Sequence, residues 1–287
     1  MKLGLCLSGG GTKAFAHIGA LKAFEESNIK FDYLAGTSSG SIVATLYAIG
    51  YTSDEIYDIF KKYVSKINYV DLKNILKFIK NFFMTGKIKI DGLNSGEKIY
   101  KLMKKYCNEK GINDISQINK PLLIPAVNIC NEDLYVFYSK KNTIKSFPSN
   151  IKYVGKADIA AVVQASCSYP GIFSPCSKIH NLLLIDGGIE ENIPWREVKR
   201  VGADKALSIV FTNTHPQKCC NSIIEILTKS FNILCHELSR YEWDGSDYLL
   251  EIKHNNNGLL NKKDSKNLYY EGYNQTKKFI REKLNNL

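Results

Sequence analysis

The stretch "LSGGGTKAFAHIGAL", Leu7–Leu21, decides the fold, because three consecutive glycines separate an apolar run from an amphipathic one. Lys2–Ser8 predicts a strand, and Ala14–Ser27 predicts a helix whose apolar residues recur at helical spacing. Glycine loses more backbone entropy on folding than any other residue, so three in a row need a physical reason. We therefore expect a tight turn where a ligand or another part of the chain approaches the backbone closely.

Strands and helices alternate along the rest of the chain. Strands are predicted at Phe31–Leu34, Leu122–Ile129, Leu134–Ser139, Leu182–Ile185, Ala206–Phe211 and Tyr248–Ile252. Helices are predicted at Ser39–Ile49, Asp54–Val64, Leu72–Phe83, Glu97–Cys107, Asp158–Ser166, Ile223–Leu238 and from Ser265 onward. This alternation predicts an α/β fold with a mainly parallel central sheet covered by helices on both faces.

The size and charge of the chain narrow the classes of protein to which it can belong. Its 287 residues, 44% of them hydrophobic, are enough to bury the core of one large α/β domain or at most two small ones. A net charge of +11 favours anionic partners, either phospholipid or nucleic acid. No nucleic-acid-binding motif accompanies this charge, so we expect no nucleic-acid partner.

Neither the apolar segments nor the cysteines indicate secretion, membrane insertion or metal binding. No apolar run is long enough to span a bilayer, and the N-terminus lacks the longer apolar core of a signal peptide, so we expect a cytoplasmic protein. The eight cysteines include no CxxC pair. The spacing of Cys219, Cys220, Cys235 and His236 fits no standard zinc pattern, so no metal site is predicted.

Three interpretations compete for the glycine-rich turn, and two stay open. A P-loop is excluded, because Gly11-Thr12-Lys13 has the wrong order of residues. A dinucleotide fingerprint fits Gly9, Gly11 and Ala14, with Asp32 as the acidic residue that follows. An oxyanion hole fits as well, because N–H groups at a helix N-terminus, bare of side chains, can face a developing negative charge.

A second junction between a strand and a helix carries a serine. Gly36-Thr37-Ser38-Ser39-Gly40 has the G-x-S-x-G pattern of a nucleophile elbow, in which glycines relieve crowding between strand and helix. The same residues fit a plain turn in which Ser38 or Ser39 caps the helix. Because a parallel sheet brings such turns together at the carboxyl ends of its strands, the two glycine-containing turns together favour the elbow.

A nucleophilic serine needs a base that accepts its proton. Asp186 follows the predicted strand Leu182–Ile185 and precedes two glycines, so a rigid scaffold would hold its carboxylate. The alternative is that Asp186 only starts a tight turn, as an Asx-turn residue whose side chain binds the backbone. The five histidines have no supporting motif, and His17 is typical of a core histidine. Asp186 is therefore the favoured base.

These elements, in this order, resemble the patatin-like phospholipase family. The matching motifs are the loop Gly9–Lys13, the elbow Gly36–Gly40 and the sequence Asp186-Gly187-Gly188. The stretch "ASCSYPGIFSP", Ala165–Pro175, is similar to the family segment that precedes the aspartate strand. The similarity extends over about Leu3–Val210, and each motif alone is unspecific, but the three in order are specific.

The resemblance implies a three-layer α/β/α fold and an enzyme that hydrolyses lipid acyl esters of phospholipid or lysophospholipid, with no cofactor. It implies that Ser38 is the nucleophile and Asp186 the base of a dyad without histidine, which works through an acyl-enzyme. The N–H groups of Gly9, Gly10 and Gly11 would form the oxyanion hole. The residues that would support these motifs are Lys13, Gly36, Gly40, Gly187 and Gly188.

The sequence departs from the family pattern at two positions in the glycine loop. Family members commonly carry arginine at the position of Lys13 and glycine at the position of Ala14. Lysine and arginine differ in hydrogen-bond geometry, so the support of the loop is expected to differ. Neither change removes a catalytic group.

The resemblance also suggests how the chain is organised. Residues 1–210 are predicted to form the patatin-like phospholipase domain, and residues 211–287 a C-terminal helical extension packed on the same domain.

Leu72–Phe83 has apolar residues on one helical face and lysines around them. It predicts either a helix packed on the domain or a peripheral contact with an anionic membrane.

Two other functions stay open at this point. An α/β-hydrolase would use Ser38, Asp186 and a late histidine such as His215, although that fold usually places more sheet before its nucleophile. A non-enzymatic protein would bind a nucleotide through the glycine loop and Asp32, or would bind lipid without turnover.

Overall fold

The computed structural model describes residues 1–66, 92–139, 148–213, 223–254 and 264–284. The strands in these ranges are β1 (Leu3–Leu7), β2 (Tyr33–Gly36), β3 (Leu122–Asn128), β4 (Leu134–Tyr138), β5 (Ile151–Val154), β6 (Leu184–Asp186), β7 (Lys205–Asn213) and β8 (Tyr248–His254). The helices are α1 (Ala14–Glu26), α2 (Ser39–Ala48), α3 (Ser53–Lys66), α4 (Glu97–Glu109), α5 (Ile159–Ser166), α6 (Trp195–Arg200), α7 (Ile223–Trp243) and α8 (Ser265–Lys283).

One central sheet joins these strands in the order β5-β4-β3-β2-β1-β7-β8, with β6 paired to β3. Every neighbouring pair in the run β3-β2-β1-β7-β8 is parallel, and so is the pair β4-β5. β3 is antiparallel to β4 and to β6. The register places Leu7 at the end of β1 beside Gly36 at the end of β2. The turns that follow these two strands are therefore neighbours at the carboxyl edge of the sheet.

The strand residues alternate between two apolar clusters, one on each face of the sheet. In β1, Leu5 and Leu7 belong to the larger cluster and Cys6 to the smaller one. The larger cluster receives Phe15 from α1, and the smaller one receives Val198 from α6. This period of two follows from the geometry of a strand, and apolar residues at both positions require cover on both faces. Helices on the two faces make the three layers.

The residues after 210 complete this sheet and pack against α1. β8 pairs in parallel with β7 and forms one edge of the sheet. α8 crosses α1 so closely that a Cβ on Gly272 would lie 2.0 Å from the carbonyl oxygen of Ala16. The boundary at residue 210 stays a prediction, although the C-terminal part adds a strand as well as helices.

The predicted α/β class and mainly parallel sheet are confirmed. The expected strand pair Leu122–Ile129 and Leu134–Ser139 is present as β3 and β4, which pair in antiparallel fashion. The short strand β5 was not predicted. The predicted helix Leu72–Phe83 lies outside the described residues, and none of the helices within them is long and apolar enough to cross a membrane.

Candidate active site

The turns after β1 and β2 are joined through their backbones. The N–H of Thr37 donates to the carbonyl oxygen of Leu7 at 3.0 Å, and the N–H of Ser8 donates to that of Ile209 at 3.2 Å. The first bond ties the turn that carries Ser38 to the strand that carries the glycine loop. The sheet thus fixes both candidate motifs in one place.

Ser38 has an unusual backbone conformation for a residue with a side chain. Its φ is 52° and its ψ is −128°. Such conformations cost about 1–3 kcal/mol and persist only where the surroundings impose them. Here the Ser38 N–H donates to the Ser166 hydroxyl at 3.0 Å, and the Ser41 hydroxyl donates to the Ser38 carbonyl oxygen at 2.6 Å. The serine is therefore held on a sharp turn between β2 and α2, as an elbow requires.

Glycine is required on both sides of this serine because the backbones touch. A Cβ on Gly40 would lie 2.4 Å from the carbonyl oxygen of Leu7, and a Cβ on Gly36 would lie 2.5 Å from that of Gly40. No side chain can stand at such distances from backbone atoms. The predicted supporting roles of Gly36 and Gly40 therefore have a direct steric basis in the junction of β1, β2 and α2.

Asp186 ends β6 with a fully buried carboxyl group. Its N–H donates to the carbonyl oxygen of Ser168 at 3.1 Å, and its Oδ1 accepts the N–H of Gly188 at 2.8 Å. Burial raises the pKa of Asp186 to about 7, while the Ser38 hydroxyl and the Gly188 N–H oppose this rise by favouring the charged form. Oδ2 makes no hydrogen bond of good geometry within the described residues, although the Ser38 hydroxyl is close enough to influence this pKa.

Gly187 brings this segment close to the sheet. A Cβ there would lie 2.4 Å from the carbonyl oxygen of Pro125 in β3. Gly188 supplies the N–H that binds Asp186. The two glycines after the aspartate thus allow the chain to turn directly against β3 while it keeps the carboxylate in place.

The glycine loop contacts a residue that sequence reasoning missed. The N–H of Gly9 donates to Asn192 Oδ1 at 2.8 Å, and Asn192 Nδ2 donates to the Ser239 hydroxyl of α7 at 2.9 Å. Asn192 lies 183 positions from Gly9, and its sequence context "GGIEENIP" gives no signal of this contact. Because its N–H is already bound, Gly9 does not fit the expected role of oxyanion donor. The N–H groups of Gly10 and Gly11 have no acceptor within the described residues.

Lys13 follows the loop and extends into an apolar environment. Its Nζ lies 6.0 Å from the centre of the Phe211 ring. Burial lowers the pKa of Lys13 to about 8. The lysine that replaces the family's usual arginine is thus a partly buried cation beside the glycine loop.

The described residues do not support a histidine as the base. Neither Ser38 nor Asp186 is hydrogen-bonded to a histidine in the parts of the chain that the structure describes. His17 is fully buried with its Nε2 2.8 Å from the Ser8 carbonyl oxygen, and burial lowers its pKa to about 4. His215 lies outside the described residues.

Asp32 is placed at the wrong end of the sheet for a dinucleotide site. Its Oδ2 accepts the N–H of Leu3 at 2.8 Å, at the amino end of β1. The glycine loop follows the carboxyl end of the same strand, roughly 13 Å away at the rise of an extended chain. An acidic side chain that binds the ribose would have to lie beside the loop, so the dinucleotide interpretation fails on geometry.

These groups open into one largely apolar pocket with a volume of about 490 Å³. Ser38, Asp186, Gly10 and Gly11 contribute to its wall. Apolar side chains from four helices and one loop also line it: Ile42, Phe60, Val64, Ile99, Phe173, Ile233 and Trp243. Within the ranges that the structure describes, no three His, Cys, Asp or Glu side chains are placed to hold a metal ion.

A family model for patatin-like phospholipases matches residues 5–199, which is more than half of the chain. The chain belongs to the patatin-like phospholipase family. This family match contains the glycine loop, the serine turn and Asp186, and it ends before β7.

The chain is also similar to two curated proteins and to one solved structure. It is 28% identical over 209 residues to lysophospholipase NTE1 of Meyerozyma guilliermondii, and the match covers 72% of this chain but 12% of that protein. It is 28% identical over 201 residues to the uncharacterized protein YqhO of Bacillus subtilis, with 65% and 63% of the two chains covered. VipD from Legionella pneumophila superposes with a TM-score of 0.51 at 15% identity, over 98% of this chain and 66% of that one. This last likeness shows the shared fold alone.

Proposed function

We propose that this protein hydrolyses acyl ester bonds of lipids through a dyad of Ser38 and Asp186. The observation that carries the proposal is the pairing of a serine held at positive φ with a buried carboxyl group whose pKa is raised to about 7. Both groups face an apolar pocket large enough for an acyl chain. Membership of the patatin-like phospholipase family supports the same conclusion.

In the first step, Ser38 Oγ attacks the ester carbonyl carbon and its proton passes to the Asp186 carboxylate. An ordinary aspartate with a pKa of about 3.9 is a weak acceptor at neutral pH. Burial brings the pKa of Asp186 to about 7, which makes the carboxylate a stronger base while half of the molecules remain ionised near neutrality. The protonated carboxyl group then gives its proton to the departing alcohol, and an acyl-serine remains.

The carbonyl oxygen becomes an oxyanion in this step, and Gly10 and Gly11 are its proposed donors. Their N–H groups line the same pocket as Ser38 and are free to bind it within the described part of the chain. Such donors are held in place before the reaction, so they stabilise the developing charge without reorganisation. We assign Gly9 a structural role instead, because Asn192 occupies its N–H.

Hydrolysis of the acyl-serine repeats these steps with water as the nucleophile. Asp186 accepts a proton from the water as it attacks the acyl carbon, and the proton returns to Ser38 Oγ when the fatty acid leaves. The carboxylate and the serine hydroxyl are thereby restored. The mechanism needs no metal and no histidine.

We infer phospholipid or lysophospholipid as the substrate class. The apolar side chains of the pocket suit a fatty acyl chain. One relative at 28% identity is named a lysophospholipase, although this chain spans only 12% of that protein. The proposed contact of Leu72–Phe83 with an anionic membrane would bring the enzyme to such substrates.

Covalent labelling tests this proposal most directly. A fluorophosphonate probe should label Ser38, as located by peptide mapping, and the protein should hydrolyse p-nitrophenyl butyrate. Ser38→Ala should abolish both, and Asp186→Asn should lower hydrolysis by about 10⁴-fold or more, since the two groups act as a unit. Ser116→Ala and Asp204→Asn, at exposed positions, are the matched controls. Label on another serine, or an active Asp186→Asn variant, would refute the dyad.

A further inference from the structure

Helix α7 exposes a group of large apolar side chains to solvent. In the part of the chain that the structure describes, nine large apolar side chains are exposed, and five of them lie on this helix: Ile226, Ile233, Leu234, Leu238 and Tyr241. Tyr241 is 83% exposed, Leu234 62% and Leu238 52%. Single exposed apolar residues are normal on a protein surface, but a group of five on one element indicates an interaction site.

The five side chains share one side of the helix. At 100° per residue they fall within an arc of about 140°, which is the width of the apolar face of an amphipathic helix. We call this group the α7 stripe. Ser230 and Glu237 are also exposed within this arc, and Glu237 is the one acidic residue among the side chains described there.

The side of α7 next to the stripe forms a wall of the pocket. Ile233, His236, Ser239 and Trp243 line the pocket that contains Ser38. Ile233 belongs to both sets, because it lines the pocket and is 55% exposed. The stripe therefore passes the pocket at Ile233, with Ile226 before this residue along the helix and Leu234, Leu238 and Tyr241 after it.

Contacts at its C-terminal end attach α7 to the domain. The carbonyl oxygen of Glu242 accepts the Trp195 Nε1–H at 2.8 Å, and Glu242 Oε2 accepts the N–H of Ile193 at 3.3 Å. A Cβ on Gly245 would overlap the Trp195 ring, so the chain after the helix packs directly on that tryptophan. These contacts use the inner side of the helix, and the side chains of the stripe remain exposed.

We propose that the α7 stripe docks on a lipid surface that contains anionic phospholipid, so that the opening of the pocket meets the surface. This inference rests on the proposed function, because a lipid ester leaves an aggregate most easily when the pocket opens directly onto it. An apolar face flanked by cations is the pattern of a helix that lies in a membrane interface. The stripe would enter the acyl region while Ser38 stays within the protein.

The charges near the pocket favour a lipid surface over a second protein. Arg240 on α7 is exposed and forms an ion pair with Glu237 at 3.4 Å, so the unbalanced positive charge near the pocket comes from α3. α3, whose Phe60, Tyr63 and Val64 line the same pocket, exposes Lys61, Lys62 and Lys66. The net charge of the chain is +11, so a second copy would be repelled, whereas an anionic bilayer would attract it.

Vesicle co-sedimentation of the full chain tests the proposal with matched variants. The stripe variant carries Leu234→Gln, Leu238→Gln and Tyr241→Gln, none of which lines the pocket. The control carries Ile129→Gln, Leu183→Gln and Tyr270→Gln, which are exposed apolar residues outside α7. We expect the stripe variant to lose about tenfold or more in partitioning to vesicles of phosphatidylcholine with phosphatidylglycerol, and the control to bind like the wild type. Wild-type binding should fall with added salt and on pure phosphatidylcholine.

Hydrolysis of p-nitrophenyl butyrate, a dissolved ester, separates this proposal from the proposed function. The stripe variant should keep wild-type activity on this ester and lose activity on the vesicles. A wild type that binds vesicles but hydrolyses neither substrate would refute the proposed function and support the docking. Tyr241→Gln alone, at the most exposed position, should weaken vesicle binding in the same direction and serves if the triple variant does not fold.

Three results would overturn the proposal. Unchanged vesicle binding by a folded stripe variant would show that the stripe is not the docking surface. A wild-type dimer that becomes monomeric in the variant, by light scattering, would assign the stripe to a second copy. A large fall in melting temperature with unchanged vesicle binding would show that another part of this chain covers it.

Discussion

The wall of the pocket that carries Ser38 is held by close contacts between backbones, whereas the wall formed by α7 is attached to the domain near one end of the helix. In the first wall, the N–H of Thr37 binds the carbonyl oxygen of Leu7, and Gly40 lies against the same oxygen. In the second, Ser239 and Glu242 make the contacts, and the outer face remains exposed.

This difference matches what each wall must do. A serine and its base need fixed positions, because small displacements of reacting groups cost much of the rate. A wall that meets a lipid surface needs exposed apolar area instead, which is costly in a protein that has no such partner. Asn192 joins the two, since it binds Gly9 on one side and Ser239 on the other.

The largest effect is expected from a substitution at Gly40, in the wall that carries Ser38, which we call the rigid wall. Gly40→Ala would place a Cβ 2.4 Å from a backbone oxygen, so we expect the free energy of unfolding to fall by about 3 kcal/mol or more. Gly111→Ala is the matched control, because its Cβ would meet open space and only its φ of +71° is unfavourable. That variant should lose about 1–2 kcal/mol. Denaturant unfolding measures both, and equal losses would contradict the steric argument.

The second test uses pH to sharpen the description of the rigid wall. If buried Asp186 is the base, kcat/KM should fall about tenfold per pH unit below its pKa of about 7 and level off above it. Burial also raises the pKa of Glu242 to about 7, so Glu242→Gln is the control and should keep this limb of the profile. A fall in kcat/KM that begins only near pH 4 would contradict the burial of the base.

The raised pKa of Asp186 also makes the stability of the folded protein depend on pH. The folded protein holds the Asp186 proton with a pKa of about 7, whereas the ordinary value is 3.8. This group therefore stabilises the fold fully below about pH 4, and its contribution is lost as pH rises through about 7.

The smallest effect should come from removing the side chains that connect the two walls. Asn192→Ala frees the Gly9 N–H, so the glycine loop loses a constraint, and we expect kcat to fall about tenfold with little change in KM. Ser239→Ala removes only the contact with α7 and should lower kcat less than about threefold. Steady-state kinetics on p-nitrophenyl butyrate compares them, with Asn131→Ala as an exposed control. Equal losses in the two variants would show that the rigid wall depends on α7.

Much of the fold and the candidate residues could be predicted from the sequence because these features are local. The glycines of 36–40 and the alternation of strands with helices depend on backbone conformation and on neighbours a few positions away. The strand β6 was placed correctly, and Asp186 was found at its end. Its antiparallel pairing with β3 was not foreseen, because pairing depends on a strand some 60 positions earlier in the chain.

The sequence alone determined the parallel α/β architecture, the strained turn at Ser38 and the glycine-flanked aspartate, since each is specified by residues adjacent in the chain. Only the tertiary structure decided that Asp32 lies at the far end of β1, that Gly9 is bound by Asn192, and that α7 closes one side of the pocket. The raised pKa of Asp186 also belongs to this second group. Burial and contacts between distant segments arise when the sheet assembles, so no local pattern encodes them.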